Sequence, residues 1–129
     1  NIILVEGGVP ISAGENLHTI YDFQHMLQAN GVSYIEPDVS NCGGITVWMK
    51  VAKLAEAKNL PVTSHGVHDI HVHLLGAVPN ASYLEVHGFG LERFILEPLV
   101  VKDGFALAGE APGHGIDFNW DGLCIHTSS

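Results

Sequence analysis

Short apolar runs punctuate the chain, and four of them end in a polar residue able to do chemistry. They are Val9-Pro-Ile-Ser-Ala-Gly-Glu15, Val32-Ser-Tyr-Ile-Glu-Pro-Asp38, Leu60-Pro-Val-Thr-Ser-His65 and Ala81-Ser-Tyr-Leu-Glu85. The polar residues recur at intervals of roughly twenty to twenty-seven positions, the period of a βα repeat. Buried strands are predicted over Val9–Ala13, Val32–Ile35, Pro61–Ser64 and Ser82–Val86. Between the first two strands, Ile20, Phe23, Met26 and Leu27 fall at helical spacing, so a helix is predicted over Thr19–Asn30, with Asn30-Gly31 as its stop. A second helix is predicted over Ile45–Asn59, with Ile45, Trp48, Ala52 and Ala55 on one stripe and lysines opposite. A third is predicted over Ile70–Ala77, ended by Pro79-Asn80. Beyond Phe94 the period changes. Leu99–Leu107 reads as a β-hairpin turning at Lys102-Asp103-Gly104, and Gly113–Phe118 as a further extended piece.

Glu15, Asp38, His65 and Glu85 would then stand at the C-terminal ends of successive parallel strands, the face on which a (β/α)₈ barrel assembles its catalytic residues. A whole barrel needs about 250 residues. With 129 residues the predicted fold class is α/β, the C-terminal half of a (β/α)₈ barrel with a C-terminal β-hairpin tail. No linker divides the chain, so residues 1–129 form one partial domain.

Composition narrows the function. A hydrophobic fraction of 47% with 15% charged residues is that of a core-forming chain. The formal charge of −9 is the wrong sign for a phosphate backbone, which argues against nucleic acid. Of the five cations, Lys50, Lys53 and Lys58 fall on one helix and read as a solvated face. The apolar runs are too short for a membrane span, and Asn1-Ile-Ile-Leu-Val5 lacks the basic flank and length of a signal peptide, so a cytoplasmic location is expected. Cys42 and Cys124 match no metal-ligand spacing and read as ordinary reduced cysteines.

Pro10-Ile-Ser-Ala-Gly-Glu-Asn16, Glu36-Pro-Asp38 with Asn41-Cys-Gly-Gly-Ile-Thr46, Val62-Thr-Ser-His65, and Pro79-Asn-Ala-Ser-Tyr-Leu-Glu85 together resemble the last four barrel strands of the enolase superfamily, mandelate racemase subgroup. Phe94-Ile-Leu-Glu-Pro-Leu99 and Pro112-Gly-His-Gly-Ile-Asp117 are similar to that family's C-terminal tail. The resemblance implies strands five to eight at 9–93 and the tail at 94–129, with the capping domain and first barrel strands absent. It implies that Glu15 is a carboxylate ligand of a catalytic Mg²⁺, that Asp38 and His65 form a His-Asp dyad, and that Glu85 is the eighth-strand acid bound to the substrate carboxylate. Those residue types suit removal of a proton next to a carboxylate. The enediolate needs a cation, and histidine is a base of suitable strength whose tautomer a carboxylate fixes.

The reaction expected of the resemblance is Mg²⁺-dependent abstraction of the α-proton of a small carboxylate, a sugar acid or 2-hydroxy acid. Acid-sugar dehydration is favoured because the histidine-rich His65–His73 stretch suits a polyhydroxylated substrate; 2-hydroxy-acid racemisation and lactone cycloisomerisation are the alternatives. His68 is a candidate substrate contact. The family's Lys-x-Lys and two further acidic metal ligands are absent. Glu6 stands too close to Glu15 to replace one of them. One carboxylate cannot hold Mg²⁺, so the isolated chain is expected to be inactive and to belong to a longer, homo-oligomeric enzyme. Two readings of other kinds remain. Asp69-Ile-His71-Val-His73 looks like the Asp-x-His-x-His strand of Zn²⁺ amidohydrolases, because i and i+2 on a strand point the same way. Alternatively, the chain is a non-catalytic barrel fragment acting as a subunit.

Overall fold

Thr19 starts the first helix by closing a reciprocal cap. Its hydroxyl accepts from the Asp22 N–H at 3.3 Å while the Asp22 carboxylate accepts from the Thr19 N–H at 3.0 Å, leaving helix α1 as Ile20–Gln28. The computed structural model describes residues 6–88 and 91–126; the opening Asn1–Val5 segment lies outside the described residues. Asn30, in the left-handed region at φ 49°, turns the chain out of α1 where the sequence predicts a stop. Helix α2 is Ile45–Glu56 and helix α3 is His68–Gly76. Trp48, Val51, Ala52 and Ala55 form the buried stripe of α2, whereas Ile45, predicted on that stripe, is exposed in the first turn. The buried band passes instead through Val51, four residues before Ala55.

The strands are shorter than the apolar runs suggest. β1 is Ser12–Ala13 and β2 is Tyr34–Ile35, paired in parallel with Ser12 opposite Tyr34. Ile35 bridges to Val62 and Val62 to Ala81, both in parallel. Four parallel segments thus lie side by side in chain order, with helices α1 and α2 between the first three as right-sized crossovers. The fourth run, predicted as a strand over Ser82–Val86, joins the third through the backbone at its start and through side chains beyond it. After two ladder bonds, Val62 N–H to Asn80 O at 2.9 Å and Ser82 N–H to Val62 O at 2.8 Å, the Thr63 hydroxyl donates to Tyr83 O at 2.6 Å and the Ser64 hydroxyl accepts from Glu85 N–H at 3.1 Å. The core sits behind these segments. Phe23 and Leu27 of α1, the α2 stripe, Ile35, Val62, Leu74 and Leu75 close it, and α1 packs on α2.

The remainder is a tail. A 3₁₀ turn at Leu91–Phe94 precedes β3 (Val100–Lys102) and β4 (Phe105–Leu107), an antiparallel pair with Lys102 opposite Phe105. Asp103 and Gly104 both have positive φ, 53° and 81°, the conformation of a two-residue primed hairpin turn. Ile95 bridges to Phe118, and helix α4 (Trp120–His126) follows. Among the described residues no helix is long and apolar enough to cross a membrane.

Candidate active site

Each parallel segment delivers one of the predicted side chains two to four residues past its last paired position, so Glu15, Asp38, His65 and Glu85 all project from the same end of the sheet. Local chemistry fixes the turns. At Gly14, φ is 137° and a Cβ would lie 3.1 Å from Glu36 O and 3.0 Å from the Phe23 ring, so the chain leaves β1 through a space that admits only glycine. At Gly66, φ is 65° and a Cβ would lie 3.0 Å from Asp38 Oδ2. Val67 follows at φ 22°, an uncommon conformation for a β-branched residue, two residues past His65.

His65 and Asp38 form the centre. His65 Nδ1 is 3.1 Å from Asp38 Oδ2. Asp38 is almost fully buried, and its other oxygen accepts from the Ser40 N–H at 2.8 Å and the Ser40 hydroxyl at 2.6 Å. Burial opposes ionisation of Asp38, but the Ser40 and His65 hydrogen bonds outweigh it and hold its pKa below the ordinary carboxylate value. An ionised Asp38 can only accept, so the shared proton is on His65 Nδ1 and Nε2 is left as the basic atom. Burial by itself would lower the His65 pKa; the Asp38 hydrogen bond and the charges of Glu85 and Glu15 reverse this and raise it.

Two carboxylates flank that basic nitrogen. Glu15 Oε2 is 3.9 Å from His65 Nε2 on a half-exposed side chain. Glu85 accepts from the Gly66 N–H at 3.2 Å. A third, Glu36, accepts from the Ser12 hydroxyl at 2.9 Å. Burial raises the Glu36 pKa; Ser12 opposes the shift, and the Glu85 and Glu15 charges reinforce it. A cleft runs from Asp38 and His65 to Leu91 and Phe94 of the tail. The site can therefore accept a proton at one nitrogen with the Glu15 and Glu85 carboxylates close by to hold a cation or a polar substrate group.

His68 lies one layer back. Its Nδ1 accepts from the His87 N–H at 3.3 Å, and its Nε2 is 3.5 Å from Asp69 Oδ2. The Asp69-His71-His73 stretch lies on helix α3, not on a strand, so its alternate residues do not share a face and the amidohydrolase-type arrangement loses its geometric basis. His71 is fully buried. Its Nε2 accepts from the Val39 N–H at 3.1 Å and its Nδ1 faces Gly66 O at 2.9 Å. Burial lowers the His71 pKa against the opposing pull of the Gly66 bond, which matches a neutral ring using both nitrogens.

Two residues of the site, Glu36 and His87, escaped the sequence reading. His87 stands 2.9 Å from Glu85 and meets the His65 ring edge-on at 4.9 Å between centroids. Its position two residues past Glu85 in an extended run was the available signal. His71, which the sequence offers beside His68 as a histidine that could line the pocket, is instead fully buried, and its grip on Val39 and Gly66 depends on a helix docking between two loops.

An "Enolase C-terminal domain-like" family model matches residues 4–122. The chain is 50% identical over 121 residues to the 3,6-anhydro-alpha-L-galactonate cycloisomerase of Streptomyces coelicolor, which covers 94% of this chain and 34% of that protein. Among solved structures, a racemase from Streptomyces coelicolor A3(2) with bound magnesium superposes with a TM-score of 0.89 at 47% identity, covering 95% of this chain and 34% of that one. The L-talarate dehydratase from Polaromonas sp. JS666, complexed with Mg and L-glucarate, gives a TM-score of 0.83 at 31% identity over 90% of this chain and 32% of its own. The chain spans about a third of the length of these relatives.

Proposed function

The chain belongs to the enolase C-terminal domain-like family, and on that premise we propose that it supplies the His-Asp dyad of a Mg²⁺-dependent enzyme that removes the proton α to a sugar-acid carboxylate and then expels the oxygen at C3. Its fold is of the enolase C-terminal barrel type, and its relatives include isomerases and dehydratases. The observation carrying the proposal is the 3.1 Å His65–Asp38 contact, with the Glu15 carboxylate 3.9 Å from the free nitrogen and a Glu85 oxygen within 4.8 Å of the His65 ring.

Glu15 fits a Mg²⁺ site in kind. It is a half-exposed hard oxygen donor beside the base, and would be one ligand of a near-octahedral set completed by residues of other barrel strands, water and substrate. The bound cation would stabilise the charge that develops on the substrate carboxylate. Strands five to eight at 9–93, followed by the tail at 94–129, would form the back of a barrel whose capping domain and first strands come from the rest of a longer chain. Relatives roughly three times as long support that division.

His65 Nε2 takes the α-proton, and the C–H electrons pass into the enediolate. Asp38 holds the ring in the required tautomer and favours the imidazolium. Glu85, anchored by Gly66 N–H and by Ser64 through its own N–H, presents its carboxyl to the substrate's acid end. The C3–O bond then breaks, and the imidazolium returns its proton to the departing oxygen. For a 3-hydroxyl this yields water and an enol, which ketonises by losing its C2 hydroxyl proton and gaining one at C3 to give a 2-keto-3-deoxy acid. For a 3,6-ring ether it opens the ring with no net change in composition. The 50% identity to a cycloisomerase of an anhydro sugar acid favours including the ether among candidate substrates. His68, which already accepts from the backbone of His87, would support this wall from behind.

The test is an assay of the intact protein carrying this chain against aldonic, aldaric and 3,6-anhydroaldonic acids with Mg²⁺. A 2-keto-3-deoxy product from a member of one class is expected; no product from any class would overturn the proposal.

A further inference from the structure

His65, Glu85 and His87 bring three donor atoms within 4.8 Å of one another, and because His65 Nδ1 is engaged by Asp38, the ring nitrogen left to bind a cation is Nε2. We infer that these three residues form a second cation site, selective for a borderline transition metal such as Zn²⁺ and distinct from the oxygen-donor position at Glu15. Two imidazoles and one carboxylate suit Zn²⁺, Co²⁺ or Ni²⁺, whereas Mg²⁺ seeks oxygen and dehydrates reluctantly. A four-coordinate ion with bonds of 2.0–2.2 Å would hold its donors about 3.4 Å apart. The Glu85–His87 pair, at 2.9 Å, has to open by only about half an ångström, and the His65 ring has to close in.

The donors are held from behind as metal ligands are. His65 is oriented through its other ring nitrogen by Asp38, the carboxylate–histidine arrangement that fixes a ligand's tautomer. Glu85 is tied at its carboxylate by the Gly66 N–H and at its backbone by Ser64, and the His87 backbone is tied to His68. Glu85 and His87 lie two residues apart and turn their side chains to each other, His87 Nε2 standing 2.9 Å from Glu85 Oε2. Ser64 and His65 are adjacent, so the run that supplies one ligand also anchors the run that supplies the other two. The local charge favours a cation, since Glu15, Asp38 and Glu85 all surround the His65 ring.

A metal here occupies the lone pair of His65 Nε2, the atom assigned to proton abstraction. Zn²⁺ would therefore switch the base off while leaving Glu15 for Mg²⁺. Binding does not depend on the proposed eliminating activity; only its effect on turnover does.

Zn²⁺ is titrated into the intact protein carrying this chain, in millimolar Mg²⁺, against a chromophoric chelator, and Co²⁺ binding is followed by visible absorption. One Zn²⁺ per chain is expected, undisplaced by Mg²⁺, with a four-coordinate Co²⁺ spectrum. His87→Ala and Glu85→Gln should each weaken Zn²⁺ by about tenfold or more, and Asp38→Asn by about 10–100-fold through the orienting contact. His25→Ala, on α1, should leave the affinity unchanged. Circular dichroism of each variant separates loss of the ligand from loss of the fold, and the two ligand variants give independent readings. Absence of stoichiometric Zn²⁺, displacement by Mg²⁺, or unchanged affinity in folded His87→Ala and Glu85→Gln would overturn the inference. Each of these results can be obtained whether or not any sugar acid is turned over.

Discussion

The arrangement around His65 depends on contacts of about 3 Å, and single substitutions should expose it. Asp38→Asn replaces the anionic acceptor that fixes the His65 tautomer and raises its pKa with a neutral amide that can also present N–H donors. We expect kcat to fall by about 10²–10⁴-fold. The rising limb of kcat/KM against pH should move to lower pH in any residual activity, because losing an anionic partner lowers the pKa of the base. A limb that stays in place would mean that another group titrates. Gly66→Ala is a steric test. Its methyl group would enter at 3.0 Å from Asp38 Oδ2, at a φ of 65° that costs an L-residue about 1–2 kcal/mol. A lower Tm together with a lower kcat is expected, whereas a lower Tm with unchanged kcat would show that Asp38 tolerates displacement. The residues named from sequence are brought together here because each terminates an apolar run, a signal visible in one dimension. His87 shares the extended run of Glu85 and was equally legible. The Glu36 carboxylate was not, because its burial against Ser12 depends on pairing between β1 and β2.

Elements carry the site through their ends. Helix α2 places Trp48 so that its indole N–H donates to Pro37 O at 3.1 Å, and helix α3 places His71 so that it accepts from Val39 N–H. Asp38 is thus gripped through the backbone on both sides, and His71 also reaches Gly66, next to His65. His71→Leu leaves the Val39 N–H and Gly66 C=O without these partners, at a cost of about 1–3 kcal/mol for each buried group. Its pH signature follows from the lowered His71 pKa. The unfolded chain binds the proton more readily, so in the native sequence stability falls as pH drops from about 6.5 through the folded value. Replacing His71 should remove that share of the acid slope, which urea titrations at pH 7.5 and 5.5 would measure; an unchanged slope would place the titration elsewhere. The helices were legible from their 3.6-residue periodicity. Strand lengths were not, because the apolar runs continue past the ladder, and Thr63 and Ser64 hydroxyls take over the pairing to the last segment.

At the scale of the molecule, the four parallel segments leave β1 and the Ala81 segment each paired on one side only among the described residues. Val9, Tyr83 and Val86 near those edges are more than half exposed, as are Phe105, Leu107 and Trp120 in the tail. Unpaired edges beside exposed apolar side chains template association. The isolated 129-residue chain should therefore self-associate at micromolar concentration in sedimentation velocity. A monodisperse monomer would contradict the view that these surfaces are meant to be covered by the rest of a barrel.

The central claim is that His65 removes a proton next to a carboxylate. Its most direct measurement is proton NMR of a sugar acid incubated in D₂O with Mg²⁺ and the intact protein carrying this chain, comparing native sequence with His65→Asn. Deuterium in recovered substrate at C2, or conversion to a 2-keto-3-deoxy product, is expected with the native residue and not with asparagine. Equal exchange or conversion by both would remove His65 from the role of base and contradict the claim.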